Sequence, residues 1–177
     1  MNKKAITYGA IAGVVTAVLY LLFYLIDKGL MANWWLGLIM FPIPIVAMVM
    51  ANKAIRNEQG FLTFGNGFLN ALVAGITYSL VAVLFQILLY NVIDPTLPEY
   101  LTEKSIEKTA EFMQKFGMPE EQMEIAMAEA AKGIQDAFST TQMLLSVLWS
   151  AFIWAIIGLI VGLIMKRDKV ESNALDV

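Results

Sequence analysis

Four stretches of the chain carry no Asp, Glu, Lys or Arg: residues 5–26, 31–52, 61–93 and 139–165. A charged side chain at the centre of a bilayer costs about 2.5–3.5 kcal/mol on insertion scales, so uncharged apolar runs of this length read as membrane crossings. The first, bounded by Lys4 and Asp27, holds 22 residues and as a helix reaches roughly 33 Å, about the hydrocarbon thickness. The second places a span at 34–52, with Trp34 and Trp35 as interfacial anchors and Pro42 and Pro44 near its middle, which predict a kinked or locally unwound helix. The third run, 33 residues, exceeds one straight crossing. It divides into a span at 67–93 and an interfacial entry at 61–66, with Phe61, Phe64 and Phe68 at helical spacing. The fourth span, 142–165, carries Trp149 and Trp154 and stops at Lys166-Arg167. Lys3 and Lys4 before an apolar stretch also fit the start of a secretory signal. However, 22 residues exceed the roughly 7–15 of a signal core and no small-residue cleavage pattern follows, so a retained span is expected.

Between the third and fourth spans the pattern changes to helices of a different kind. After Asp94-Pro95, the positions Leu101, Ile106, Ala110, Met113 and Phe116 roughly follow one helical face over residues 99–116. Gly117 suits a helix stop, and Pro119 suits the first position of a second helix whose start is favoured by Glu120 and Glu121. In that helix Met123, Met127, Ala130, Ile134 and Ala137 lie on one stripe, expected to pack on the first outer helix or the membrane surface. The expected lobe covers residues 98–138. The fold class is therefore all-α: a four-span transmembrane bundle forming one membrane domain, residues 1–177, with a two-helix insertion between spans three and four.

Charge orients this arrangement. Lys3, Lys4, Lys53, Arg56, Lys166, Arg167 and Lys169 fall on one side of a four-span chain, whereas residues 94–141 hold four lysines against ten acids. By the positive-inside tendency both termini are cytoplasmic and the acidic lobe is extracytoplasmic. Composition agrees with a lipid setting: 59% hydrophobic and 15% charged, where soluble chains carry about 25% charge. With no His and no Cys, a Cys/His zinc site, a Ser-His-Asp or Cys-His pair, a disulfide and a His-ligated haem are all excluded. A net charge of −3 gives no reason to expect nucleic acid. No phosphate-binding, dinucleotide-binding or hydrolase fingerprint is present. No catalytic, cofactor-binding or metal-ligating residue can be nominated.

What remains are packing and polar features. Small residues recur every four positions, giving candidate helix-packing contacts at Gly9, Gly13, Gly75, Gly158 and Gly162, alongside Ala5, Ala17, Gly67, Ala71 and Ser79. Packing within one chain is the simpler reading, and a homodimer seam is the other. The spans contain no ionisable Asp, Glu, Lys, Arg or His, which disfavours proton-coupled transport. Asn70, Thr77 and Gln86 could line a polar seam, although buried polar groups in lipid need interhelical partners whatever the function. Glu99, Glu103, Glu107 and Glu111 form a like-charged column, offset by Lys104 and Lys108 three residues before a glutamate and by the pair Glu111 and Lys115. A solvated face is the default, with divalent-cation binding the functional version. The methionines lie at helix-core spacing, so packing accounts for them better than soft-metal ligation. Spans one and three also echo each other, ending in Tyr24-Leu25-Ile26-Asp27 and Tyr90-Asn91-Val92-Ile93-Asp94. A parallel duplication or compositional bias would each produce this.

The order Tyr8-Gly9-x-x-x-Gly13, Phe61-x-x-Phe64-Gly65-x-Gly67-Phe68, Ile93-Asp94-Pro95, Gly117-Met118-Pro119-Glu120-Glu121, then Gly158 and Gly162 resembles the bacterial domain-of-unknown-function family four-one-nine-nine. The resemblance covers roughly residues 3–166. It implies a small four-span protein of the bacterial cytoplasmic membrane and no assigned activity or site residues. On this basis the leading expectation is a non-enzymatic interaction or scaffold protein. Its expected partners are the lipid bilayer and either a second copy or an extracytoplasmic protein. The runner-up is a small uncharged-solute transporter or channel.

Overall fold

The apolar runs fold as long helices whose ends are set by local chemistry. The computed structural model describes residues 3–168, the side chains of Glu120, Glu121 and Glu124 excepted. Its elements are α1 (Lys3–Ile26), a 3₁₀ turn (Lys28–Ala32), α2 (Trp34–Met40), α3 (Pro42–Gln59), α4 (Phe64–Leu88), a π-helical turn (Leu89–Ile93), α5 (Leu97–Lys115), α6 (Glu120–Ala137) and α7 (Thr140–Met165). Four helical stretches are long and apolar enough to cross a membrane: Lys3–Ile26, Trp34–Gln59, Phe64–Ile93 and Thr140–Met165. At most 33% of their apolar windows is buried inside the protein. Side chains such as Leu148, Trp149, Phe152 and Ile164 are about two-thirds or more exposed, an apolar surface that suits lipid. The chain is a membrane protein.

Span two breaks where the prolines require it. Pro42 and Pro44 have no N–H to give to the carbonyls of Leu38 and Met40, so α2 ends at Met40 and Pro42 opens a new helix. The α3 helix continues past residue 52, the expected end of the span, to Gln59. Its last turns carry Lys53, Arg56 and Glu58 and end at Gly60, which has φ +76°. The helical spacing of Phe61, Phe64 and Phe68 does not hold at its first position, and the helix starts at Phe64 rather than at the expected residue 67. Phe61-Leu62-Thr63 is extended, and Leu62 exchanges two backbone hydrogen bonds of 2.8 Å with Arg167 while its side chain is fully buried. The hydroxyl of Thr63 then accepts from the Asn66 N–H, so α4 starts at Phe64.

Close contacts group the described residues into two units. The first comprises 3–13, 42–80 and 149–168, where segments of α1, α3, α4 and α7 share a core of Ala5, Met48, Ile55, Leu62, Ala71, Ala74, Trp154, Val161 and Met165. The second comprises 14–41 and 81–148 and is centred on Val83, Leu89, Tyr90, Leu97, Leu101, Met143 and Val147.

The helices of residues 97–137 form as the pattern implied, with α5 packed on α6. At the end of α5 the N–H of Gly117 (φ +71°) bonds the Gln114 carbonyl and that of Met118 bonds Met113, a paired 5→2 and 6→1 closure that needs a glycine-like conformation. Pro119 is the cap of α6, one position earlier than expected. Met123, Met127, Ala130 and Ile134 are half-buried, whereas Ala137 is exposed. Phe116 is also corrected: it lies past the last turn of α5, 75% exposed, its ring 4.6 Å from that of Phe112.

Candidate functional site

In the second unit, polar groups converge where the third span gives way to the lobe. The π turn at Leu89–Ile93 is closed by the Asp94 N–H bonding the Leu89 carbonyl at 2.8 Å. This leaves the Asp94 side chain buried, with 8% of the residue exposed. Its Oδ2 accepts from the Tyr24 hydroxyl at 3.2 Å and from the Lys28 ammonium at 2.5 Å. Its Oδ1 accepts from the Thr96 N–H at 3.2 Å and hydroxyl at 2.7 Å. The Lys28 ammonium also stands 5.0 Å from the centre of the Tyr24 ring. The Lys28 hydrogen bond, followed by those from Thr96, lowers the Asp94 carboxyl from its ordinary value to about 2. The same hydrogen bond raises Lys28. A carboxylate with both oxygens engaged and its charge neutralised is a clamp rather than a proton carrier.

The loop between α1 and α2 is built in the same way. Asp27 Oδ1 accepts the Gly29 N–H at 2.8 Å, the same two-residue reach that Asp94 makes to Thr96, and opens the 3₁₀ turn. Asn33 Nδ2 donates back to the carbonyls of Gly29 and Leu30. Lys108 of α5 then reaches across to the Gly29 carbonyl at 3.0 Å and Asn33 Oδ1 at 2.7 Å, tying the lobe to the loop. Of the expected charge offsets on α5, Lys104 pairs with Glu107 at 2.6 Å. Glu111 and Lys115 form no ion pair, and Lys108 turns to the loop instead.

Beside this tie lies a cleft of about 750 Å³, lined by residues that include Asn33, Trp34, Ser105, Lys108, Phe112 and Lys115. A second cleft of about 590 Å³, at Pro95, Glu99, Glu103, Gln135 and Phe138, is acidic.

The nominated packing glycines lie in the first unit. A Cβ at Gly9 would run into the Ala74 carbonyl oxygen and the Thr77 Cβ, and one at Gly75 would lie 2.6 Å from Trp154 Cγ and 2.5 Å from Met48 Cε. At Gly162 it would lie 2.9 Å from the Phe68 nitrogen, whereas at Gly158 the nearest atoms are at 3.5 Å. Gly13 is buried. Gly67 faces Gly162, 3.2 Å from its Cα to the added Cβ, and belongs with this set.

Of the proposed polar seam, Asn70 is buried and Thr77 half-buried in the first unit; Gln86 is half-buried in the second. Two polar contacts that spacing did not single out are better defined. Ser79 Oγ accepts from the Trp154 indole at 2.8 Å and from the Ser150 hydroxyl at 2.9 Å. The fully buried Asn52 donates to the Gly67 carbonyl at 3.0 Å. Only the four-residue offsets of Ser79 from Gly75 and of Trp154 from Gly158 hinted at this seam.

No curated protein and no solved structure matches the chain. A family model matches residues 7–167, and the chain belongs to that family, described as protein of unknown function (DUF4199).

Proposed function

We propose that this is a non-enzymatic interaction or scaffold protein of the bacterial cytoplasmic membrane, with both termini cytoplasmic and α5–α6 presented outside to a protein partner or a second copy. One observation carries the reading. A charged lobe, clamped to its neighbouring loop through Lys108, exposes large apolar side chains: Phe116 at 75% and Ile125 at 68%. Exposed apolar groups beyond the spans are not needed for lipid burial and suit a protein contact.

Because the chain has no Cys, one introduced thiol reports sidedness without background. A maleimide that cannot cross membranes should label Glu129→Cys in intact cells, and labelling only after permeabilisation would overturn the orientation. A photoreactive residue at Phe116 or Ile125 should give a discrete adduct in native membranes. An adduct of twice the chain mass identifies a second copy, and absence of any adduct at both positions refutes the interaction reading.

A further inference from the structure

We propose that the cleft between α5 and the start of α2 holds the phosphate headgroup of an anionic phospholipid. This goes beyond the partner-binding reading and does not depend on it.

Its placement comes first. Trp34 is the first residue of an apolar stretch long enough to cross the bilayer, and it is 78% exposed. Indole side chains at such positions settle at headgroup depth. The cleft that Trp34 lines is therefore level with lipid phosphates on the side that carries the lobe. This holds whichever face of the membrane that is.

Charge comes next. Along α5, Leu97 and Leu101 are buried, and the same helical face continues through Ser105, Lys108, Phe112 and Lys115 into the cleft. At about 100° per residue, Glu99, Glu103 and Glu107 point roughly 100° or more away from Lys108. Three glutamates of the acidic column thus point elsewhere, while Glu111 also lines the cleft, whose charged lining is two lysines to one glutamate. Lys108 spends two donors on the Gly29 carbonyl and Asn33 Oδ1, which fixes its ammonium in the wall. Lys115, two turns further on, makes no ion pair with the described residues. Two ammonium groups, a serine hydroxyl and two exposed aromatic rings suit a phosphodiester whose acyl chains remain in the bilayer.

The experiment is native mass spectrometry of the full-length protein in micelles titrated with phosphatidylglycerol or phosphatidylcholine. The expected result is preferential retention of phosphatidylglycerol. Lys115→Gln should weaken it about five-fold, since each lysine near an anionic headgroup contributes on that order. Phosphatidylcholine binding and the thermal midpoint should not change. Lys108→Gln should lose at least as much lipid but also loosens the loop, so Lys115→Gln is the deciding variant. Lys132→Gln, on α6 and away from the cleft, should bind as the unmodified protein does. Equal retention of the two lipids would overturn the proposal, and so would a Lys132→Gln loss as large as that of Lys115→Gln. Displacement by soluble glycerol phosphate at the lipid's own concentration would also overturn it, by making the ligand a free anion.

Discussion

Gly158 and Gly162 are indistinguishable by sequence pattern, yet the structure assigns them opposite responses to alanine. At Gly158 an added methyl group would meet Phe68 and Ala71 at 3.5–3.6 Å, ordinary van der Waals contact. At Gly162 it would meet the Phe68 nitrogen at 2.9 Å, the Phe68 Cα at 3.2 Å and the Phe64 oxygen at 3.3 Å, all backbone atoms of α4. Backbone cannot rotate aside as a side chain can, so α7 and α4 would have to separate by about half an ångström along their seam. Overpacking of this kind costs about 1–3 kcal/mol, while the helix-propensity gain from Gly to Ala is at most about 1 kcal/mol in either variant. That gain is common to both positions and largely cancels in their difference. Gly158→Ala should be neutral or up to about 1 kcal/mol more stable. Gly162→Ala should be less stable than Gly158→Ala by about 1–3 kcal/mol. Equilibrium unfolding in mixed micelles of a mild detergent and dodecyl sulfate, followed by far-ultraviolet circular dichroism, reads both. Equal stabilities for the two variants, or the reverse order, would refute the close backbone approach of α7 to α4 at Gly162.

The remaining predictions concern the two polar clusters. Ser79→Ala and Trp154→Phe should be coupled in a double-mutant cycle by about 0.6 kcal/mol and at most about 1.7, the range measured for interhelical hydrogen bonds in lipid; additive losses would contradict the bond. Asp94 is held at about 2 against an ordinary 3.8. A carboxyl lowered in this way contributes stability that is present above about pH 4 and lost as pH falls through about 2. The stability gap between the unmodified protein and Asp94→Asn should accordingly be widest near neutral pH and close across that acid window. A gap that stays constant down to about pH 2 would show that Asp94 is not held by Lys28 and Thr96.

Periodicity made the four apolar helices and the α5–α6 pair readable, because the absence of charge and the placement of Gly117 act within a few residues. The Schellman closure at Gly117 needs only local backbone geometry. The tie from Lys108 to Asn33 spans 75 positions, and nothing in the neighbourhood of either residue marks the other. Lys108 stands three residues before Glu111, an i, i+3 relation that implies a local charge offset, yet its ammonium bonds the Gly29 carbonyl and Asn33 instead. The Lys28–Asp94 pair left a fainter trace: each stands just beyond an uncharged run, where a lone charge must find a partner or water. Leu62 shows a different limit. Its two backbone bonds to Arg167 follow from bringing both chain segments to the same end of the first unit, which no helical period encodes.

The π turn at Leu89–Ile93 gives the third span a tolerance to length that its neighbours lack. A π turn holds one residue more than the α turn it replaces, so a one-residue deletion within 89–93 would be absorbed as plain α-helix without breaking the hydrogen-bond ladder. The wider turn uses its extra residue for almost no extra rotation, so everything beyond it would keep its orientation about the helix axis. The Asp94 carboxylate would still face Tyr24 and Lys28. A one-residue deletion earlier in α4, with no wide turn to absorb it, would instead turn everything beyond by about 100° and unfasten the clamp. Family members that lack one residue within 89–93 should keep the Lys28–Asp94 pairing, whereas a deletion elsewhere in the span should go with its loss.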